Sequence, residues 1–407
     1  MTHNSSSSPS LIRLAGLPYF IIAFIARLPF AMMVVGVLTV VVTARGSLGL
    51  GGITSAAVGL GTALIGPFLG AAADRYGQRP VLIAAAVLNA IMLAAFAVVV
   101  YSPLDQAFVL VSAFAIGATA PQVSPMSRSR LVTIIDERMP QALRERSTSA
   151  TMSYESAADE TVFVFGPFIV GALASLITPW APIALASALT LVFVGAFALH
   201  PTARHVSATR GADGSAPTPA SDLFRPVLLV VVIGILGVGL FFGSMLTSLT
   251  SFMADRGAAE QAGLLYGVMG IGSAILALGV AWLPPRFTLH ARWIVFGGIL
   301  LGGSLLVAGA ADVTTMTIAL GLLGIGIGPT LVTLYSLGVA RSPLGRSATV
   351  MTMLGSGIVV GQAAAAAITG QLAESTGTAA ALIMPLAAAA IVVAAGIANR
   401  LLSPPLR

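Results

Sequence analysis

The 407-residue chain contains no cysteine and no lysine. Without thiols there are no disulfides and no thiolate metal sites. Without lysine, glycine runs such as Gly49, Gly51 and Gly52 lead into no phosphate-loop lysine, which argues against nucleotide-driven work by this chain itself. Charge of either sign is scarce, at 8% of residues. The four histidines (His3, His200, His205, His290) fall near helix ends or in tails, with no metal-ligand spacing. No cofactor is expected.

What the chain has in excess is apolar surface: 57% of residues are hydrophobic, and the mean hydropathy is +0.99. A bilayer-spanning helix needs roughly 20 mostly apolar residues. Twelve such stretches can be marked, at 17-43, 51-73, 80-101, 105-125, 149-176, 179-199, 225-252, 261-283, 291-311, 313-338, 347-372 and 377-400. Little chain remains between them, so no soluble catalytic domain fits and an enzyme is not expected. The Ser5 to Ser8 run lacks the basic start and cleavage pattern of a secretory signal.

All 20 basic residues are arginine. With the N-terminus inside, Arg13, Arg75, Arg79, Arg128, Arg130, Arg204, Arg286, Arg341 and Arg400 fall on the cytoplasmic side with most of the others. Only Arg45 and Arg256 fall outside, and Arg27 lies within the membrane. Short cytoplasmic loops are enriched in basic residues, so both termini are expected to be cytoplasmic in the plasma (inner) membrane. The net charge of +6 then reports this bias and contact with anionic lipid headgroups, and calls for no nucleic acid.

A polar stretch at 200-224, holding His200, Arg204, His205, Arg210, Asp213, Pro217, Pro219 and Asp222, reads as a cytoplasmic linker between halves 1-199 and 225-407. Shifting the first half forward by 211 residues places Leu38-Thr39 on Leu249-Thr250, Arg45-Gly46 on Arg256-Gly257, and Gly59 on Gly270. Six spans per half make both repeats point the same way. The expected fold is all-α and integral to the membrane: twelve helices in two six-helix bundles related by a parallel repeat, with a substrate site near the midplane between them.

The fifth stretch carries Tyr154, Glu155, Ser156, Ala157, Ala158, Asp159 and Glu160. A carboxylate at bilayer depth costs several kcal/mol unless paired, hydrated or protonated, so three together mark a functional site. Arg27 reads as the single buried cation able to answer them. Arg27 and Asp159 both lie about ten residues, ~15 Å, from their expected helix starts, which puts them at similar depth. Glu155 and Asp159 share a helical face, whereas Glu160 is turned by about 100°. Asp159 is therefore expected to be the main partner of Arg27, with Glu155 or Glu160 carrying a proton. The competing reading is a structural salt bridge fixing span one against span five. Tyr19, Gln122 and Tyr154 are candidate polar cavity groups. Phe241, Phe242 and Met245 suit either an apolar substrate wall or a lipid-facing surface, and Asn89 suits helix-helix bonding.

Between spans two and three runs Gly70, Ala71, Ala72, Ala73, Asp74, Arg75, Tyr76, Gly77, Gln78, Arg79. This resembles the signature loop of the major facilitator superfamily, G-x-x-x-D-R-x-G-R-[RK], matching at Gly70, Asp74, Arg75, Gly77 and Arg79 and departing at Gln78. The loop around Trp282 to Arg292 in the second half lacks the Asp. Gly166-Pro167 with Gly171 looks like the Gly-Pro kink motif of the drug/proton antiporter branch, though a glycine pair usually follows the proline more closely. That branch also carries an arginine in span four, which the matching stretch Ser112 to Gly117 lacks. The resemblance implies a monomeric secondary transporter of a small molecule by alternating access, with Asp74 holding a cytoplasmic gate. Together with the acidic cluster it implies proton-coupled export of small amphipathic or cationic compounds. Proton-coupled uptake of a sugar or metabolite, or movement of a lipid-like substrate, is the alternative, and a membrane-embedded enzyme or sensor is a more remote one.

Overall fold

The computed structural model describes residues 11–204, 218–258, 261–284 and 286–402. The linker residues His205, Arg210, Asp213 and Pro217, along with His3 and Ser5 to Ser8, lie outside the described residues. Among the described residues every regular element is helical, and twelve helices are long and apolar enough to cross a membrane. They are span 1 (Leu17–Arg45), span 2 (Gly49–Tyr76), span 3 (Gln78–Tyr101), span 4 (Gln106–Arg138), span 5 (Gln141–Leu176), span 6 (Ala181–Leu199), span 7 (Pro226–Ala254), span 8 (Ala262–Trp282), span 9 (Leu289–Ala308), span 10 (Val313–Ala340), span 11 (Ser347–Thr376) and span 12 (Thr378–Leu402). A helix satisfies its own backbone, which is what hydrocarbon requires of a lone spanning segment.

The spans form two six-helix bundles. One apolar core draws almost entirely on spans 7 to 12, around Phe241, Met245, Trp293, Leu323 and Leu354, and two others draw mainly on spans 1 to 6. Phe241 and Met245 are fully buried in that core, which overturns a lipid-facing reading for both. The internal repeat survives in three dimensions at its best-matched point. Gly46 and Gly257 both take left-handed φ, 65° and 70°, at the ends of spans 1 and 7. The arginine before each reaches a carbonyl at or just beyond the far end of the bundle's third span. Arg45 Nε donates to Val100 O (2.8 Å), and Arg256 Nη2 donates to Ala311 O (2.7 Å).

Two spans differ from their expected bounds. The sequence places the end of span 4 near 125 and the start of span 5 near 149. Instead span 4 breaks only at 120–122 and resumes as Val123–Arg138, and the fifth helix already starts at Gln141. Span 5 runs unbroken through Pro167.

Candidate functional site

Span 1 is interrupted at Ala26 and Arg27, where the helix stops at Ile25 and restarts at Leu28. Pro29 explains the break: it lacks the N–H that would bond the carbonyl of Ile25. The break presents Arg27, only 3% exposed, to span 5. There Arg27 Nη2 donates to Glu155 Oε2 at 2.5 Å, while its Nε stands 3.6 Å from Asp159 Oδ1. Glu155 is therefore the principal partner of Arg27, not Asp159. The expected depths were counted from a helix start at 149, and with span 5 beginning at Gln141 the register places Glu155 opposite the break.

Asp159 has a cation of its own. Arg128 of span 4 donates from Nη2 to Asp159 Oδ2 at 2.7 Å, and Ser124 Oγ donates to Asp159 Oδ1 at 2.7 Å. One turn along, Ser127 Oγ donates to Glu155 Oε1 at 2.8 Å and shares a 2.9 Å hydrogen bond with the Tyr19 hydroxyl. Ser124, Ser127 and Arg128 lie three and four residues apart, so one face of span 4 answers the Glu155 and Asp159 face of span 5. The expectation of a single buried cation is thus corrected. Arg128 and Arg130, which the sequence places on the cytoplasmic side beyond the expected end of span 4, are both buried, at 1% and 0% exposure. For Arg128 the signal in the sequence was the Ser124, Ser127, Arg128 spacing, which mirrors Glu155 and Asp159.

Arg130 points elsewhere. It donates to Gln78 Oε1 (3.1 Å), Phe197 O (2.9 Å) and Thr202 Oγ1 (3.2 Å), and its guanidinium lies 4.0 Å from the Phe197 ring. Gln78 in turn donates to Met126 O at 3.1 Å. At position 78 the signature loop departs from its pattern, and here a buried amide receives a buried arginine from span 4.

Glu160 faces away from this quartet. Its Oε1 accepts from Ser273 Oγ of span 8 at 2.8 Å, and its buried Oε2 has no hydrogen-bond partner. No cation among the described residues pairs with it. Arg27 and Arg128 balance Glu155 and Asp159, leaving Glu160 as the unanswered carboxylate. Of the other polar candidates, Gln122 bonds only locally, to Ala120 O (3.0 Å), at the break in span 4. The hydroxyl of Tyr154 reaches Phe20 O at 3.4 Å while its ring packs on Phe20. Asn89 donates to Ile116 O (2.8 Å), joining spans 3 and 4.

In the loop motif, Asp74 accepts from Ala348 N, Thr349 N and Thr349 Oγ1 across the two bundles. Gly70 lies so close to span 11 that an added Cβ would stand 2.8 Å from Ala348 O. Gly77 turns the chain at φ 87°, and Arg75 and Arg79 are exposed. Gly166 packs against Ala31 of span 1, whereas a Cβ on Gly171 would meet nothing within 4 Å.

Among the contacts that join the bundles are Asp74 to Thr349, Glu160 to Ser273, and Arg128 to Tyr335 of span 10, whose ring centroid lies 3.9 Å from the Arg128 guanidinium carbon. Solved structures share this architecture. The human organic anion transporter MFSD10 superposes with a TM-score of 0.69 at 16% identity, covering 96% of this chain and all of that one. A bacterial homologue of the iron transporter ferroportin in its outward-facing state gives 0.70 at 16%, covering 94% and 98%. The E. coli fucose:proton symporter gives 0.65 at 15%, covering 95% and 99%. At such identities the likeness carries the fold alone. No curated protein sequence matches the chain. The sequence profile of the Major Facilitator Superfamily matches residues 19–366, and the chain belongs to that family of membrane transporters.

Proposed function

We propose that this transporter is driven by protons and exports small amphipathic or cationic compounds by alternating access. In this reading it works as a monomer in the plasma (inner) membrane, with cytoplasmic termini and lipids as its surroundings. Its units are two bundles at 1-199 and 225-407 joined by the 200-224 linker. One observation carries the proposal: Glu160 is a buried carboxylate without a cation, beside two acids that each have one. An isolated charge at that depth costs several kcal/mol. A proton removes the cost, and so does a cationic substrate. The two therefore exclude each other at Glu160, which is the condition for exchange. Because Ser273 belongs to the other bundle, loading Glu160 also bears on how spans 5 and 8 meet. Arginine bias and the Asp74 contact support the orientation and the gate. The test is proton release by purified protein in weakly buffered detergent while cationic dyes, antibiotics and sugars are added one at a time. Release on adding a cation, lost in Glu160→Gln, supports exchange. Release that survives Glu160→Gln removes this carboxylate from the mechanism, and a response to sugars alone favours uptake.

A further inference from the structure

Arg128 sits in a place built for a cation that need not be its own. Its guanidinium lies between the Tyr335 ring face, 3.9 Å away, and Asp159 Oδ2, 2.7 Å away. An aromatic face opposite a carboxylate recognises planar, delocalised cations, through the ring quadrupole on one side and charge-assisted hydrogen bonds on the other. The two walls come from different bundles, Asp159 on span 5 and Tyr335 on span 10. Any motion that parts the bundles therefore opens this seat.

The three buried arginines of this region are held to different degrees. Arg130 donates to three acceptors, and Arg27 is clasped by Glu155 with Asp159 nearby. Arg27 and Arg128 each make one hydrogen bond and leave buried guanidinium nitrogens without a hydrogen-bond partner. Two carboxylates lie within ion-pair distance of Arg27, but among the described residues only Asp159 lies so near Arg128. Asp159 does not depend on Arg128 alone, because Ser124 and Arg27 also face it. Removing Arg128 from the seat leaves both walls standing.

We propose that Tyr335 and Asp159 form a binding subsite for planar organic cations of the guanidinium or amidinium type, and that Arg128 fills it in the closed state as an internal stand-in for the substrate. The subsite deepens the export reading and rests on it for a cationic cargo. The planar group of the cation then rests on Asp159, while its positive charge, one residue away on the same helix, still competes with the proton at Glu160.

The experiment uses the full-length protein in detergent. Ethylguanidinium chloride is titrated against Arg128→Ala and the parent, with thermal unfolding as the readout and ethylammonium chloride as control. Arg128→Ala is expected to show saturable stabilisation by ethylguanidinium that the parent lacks. Adding Tyr335→Phe should retain it and adding Tyr335→Leu should abolish it. A folded Arg128→Ala that responds like the parent overturns the proposal, as does stabilisation that persists with Tyr335→Leu. Should Arg128→Ala fail to fold, ethidium binding to otherwise unaltered protein decides by fluorescence anisotropy. Tyr335→Phe should bind as the parent does and Tyr335→Leu about tenfold more weakly, and equal binding by both overturns the subsite. Proton release measured alongside separates the two readings. Tyr335-dependent binding without proton release keeps the subsite and removes coupling, whereas proton release with Tyr335-independent binding does the reverse.

Discussion

The carboxylate of Asp74, at the end of span 2, caps the first turn of span 11, accepting from Ala348 N at 3.0 Å, Thr349 N at 2.8 Å and Thr349 Oγ1 at 2.6 Å. These N–H groups have no partner inside their own helix, and the helix dipole favours a negative charge there. The bonds join the two bundles, so they exist only while this end is closed.

Asp74→Asn keeps the side chain's size but removes the charge. Hydrogen bonds to charged groups are worth about 1.5–3 kcal/mol, so opening of this end should become roughly tenfold or more favourable. Because the chain has no cysteine, a single Ser356→Cys reports cleanly. Ser356 is buried where span 11 meets Gly66 of span 2. Maleimide labelling of this cysteine should accelerate about tenfold in the Asp74→Asn background. An unchanged rate would show that Asp74 does not hold the end shut.

Glu160→Gln retains an acceptor for Ser273 but cannot titrate. If Glu160 is where proton and substrate compete, cation affinity in the parent should rise about tenfold for each pH unit over the range where Glu160 deprotonates. In Glu160→Gln it should be flat. Isothermal titration of ethidium from pH 5 to pH 9 measures both slopes. Parallel slopes in the two proteins would move the titrating group elsewhere, with Glu155 the next to replace.

The spans were legible because hydrocarbon demands long apolar helices, and the repeat because Arg45-Gly46 and Arg256-Gly257 end helices in the same left-handed turn. The acidic cluster was legible for a related reason, since carboxylates within an apolar run are expensive and stand out. Arg128 and Arg130 were not, because an arginine near an expected helix end reads as a loop anchor until the neighbours that neutralise it are known. Asp159 supplies that neutralisation from another span, and matching spacings on two spans carry no meaning until the spans are known to face each other. Tyr335 was hidden for the opposite reason: an aromatic in an apolar helix draws no attention until a guanidinium is found on its face. The different fates of Asp159 and Glu160 follow from helical geometry alone, because adjacent residues diverge by about 100° and so meet different spans.

The Arg27 and Glu155 pair separates stability from transport. Both side chains are buried, and breaking a buried pair by removing one partner costs about 3–5 kcal/mol, whereas replacing both by apolar residues is often neutral. Arg27→Met or Glu155→Met alone should markedly lower the unfolding temperature in detergent, and the double variant should recover much of it. If the pair only fixes span 1 against span 5, the recovered double variant transports. If the pair participates in exchange, it stays folded and silent in liposome uptake of a cationic dye.

Two glycines of span 5, five residues apart, give the last contrast. A Cβ on Gly166 would stand 2.7 Å from Ala31 Cβ and 3.1 Å from its carbonyl carbon, four residues past the break that positions Arg27. Neither atom belongs to a flexible side chain, so span 1 itself would have to move. Overpacking of this kind costs about 1–3 kcal/mol and would draw Arg27 away from Glu155. Gly171 faces outward with nothing near its added Cβ, and alanine there gains up to about 1 kcal/mol of helix propensity. Gly166→Ala should therefore unfold at lower temperature and lose transport, while Gly171→Ala should match or exceed the parent in stability. Thermal unfolding of the two variants side by side checks this. Equal behaviour would mean that the stretch acts through the flexibility of the helix around Pro167, and not through its fit against span 1.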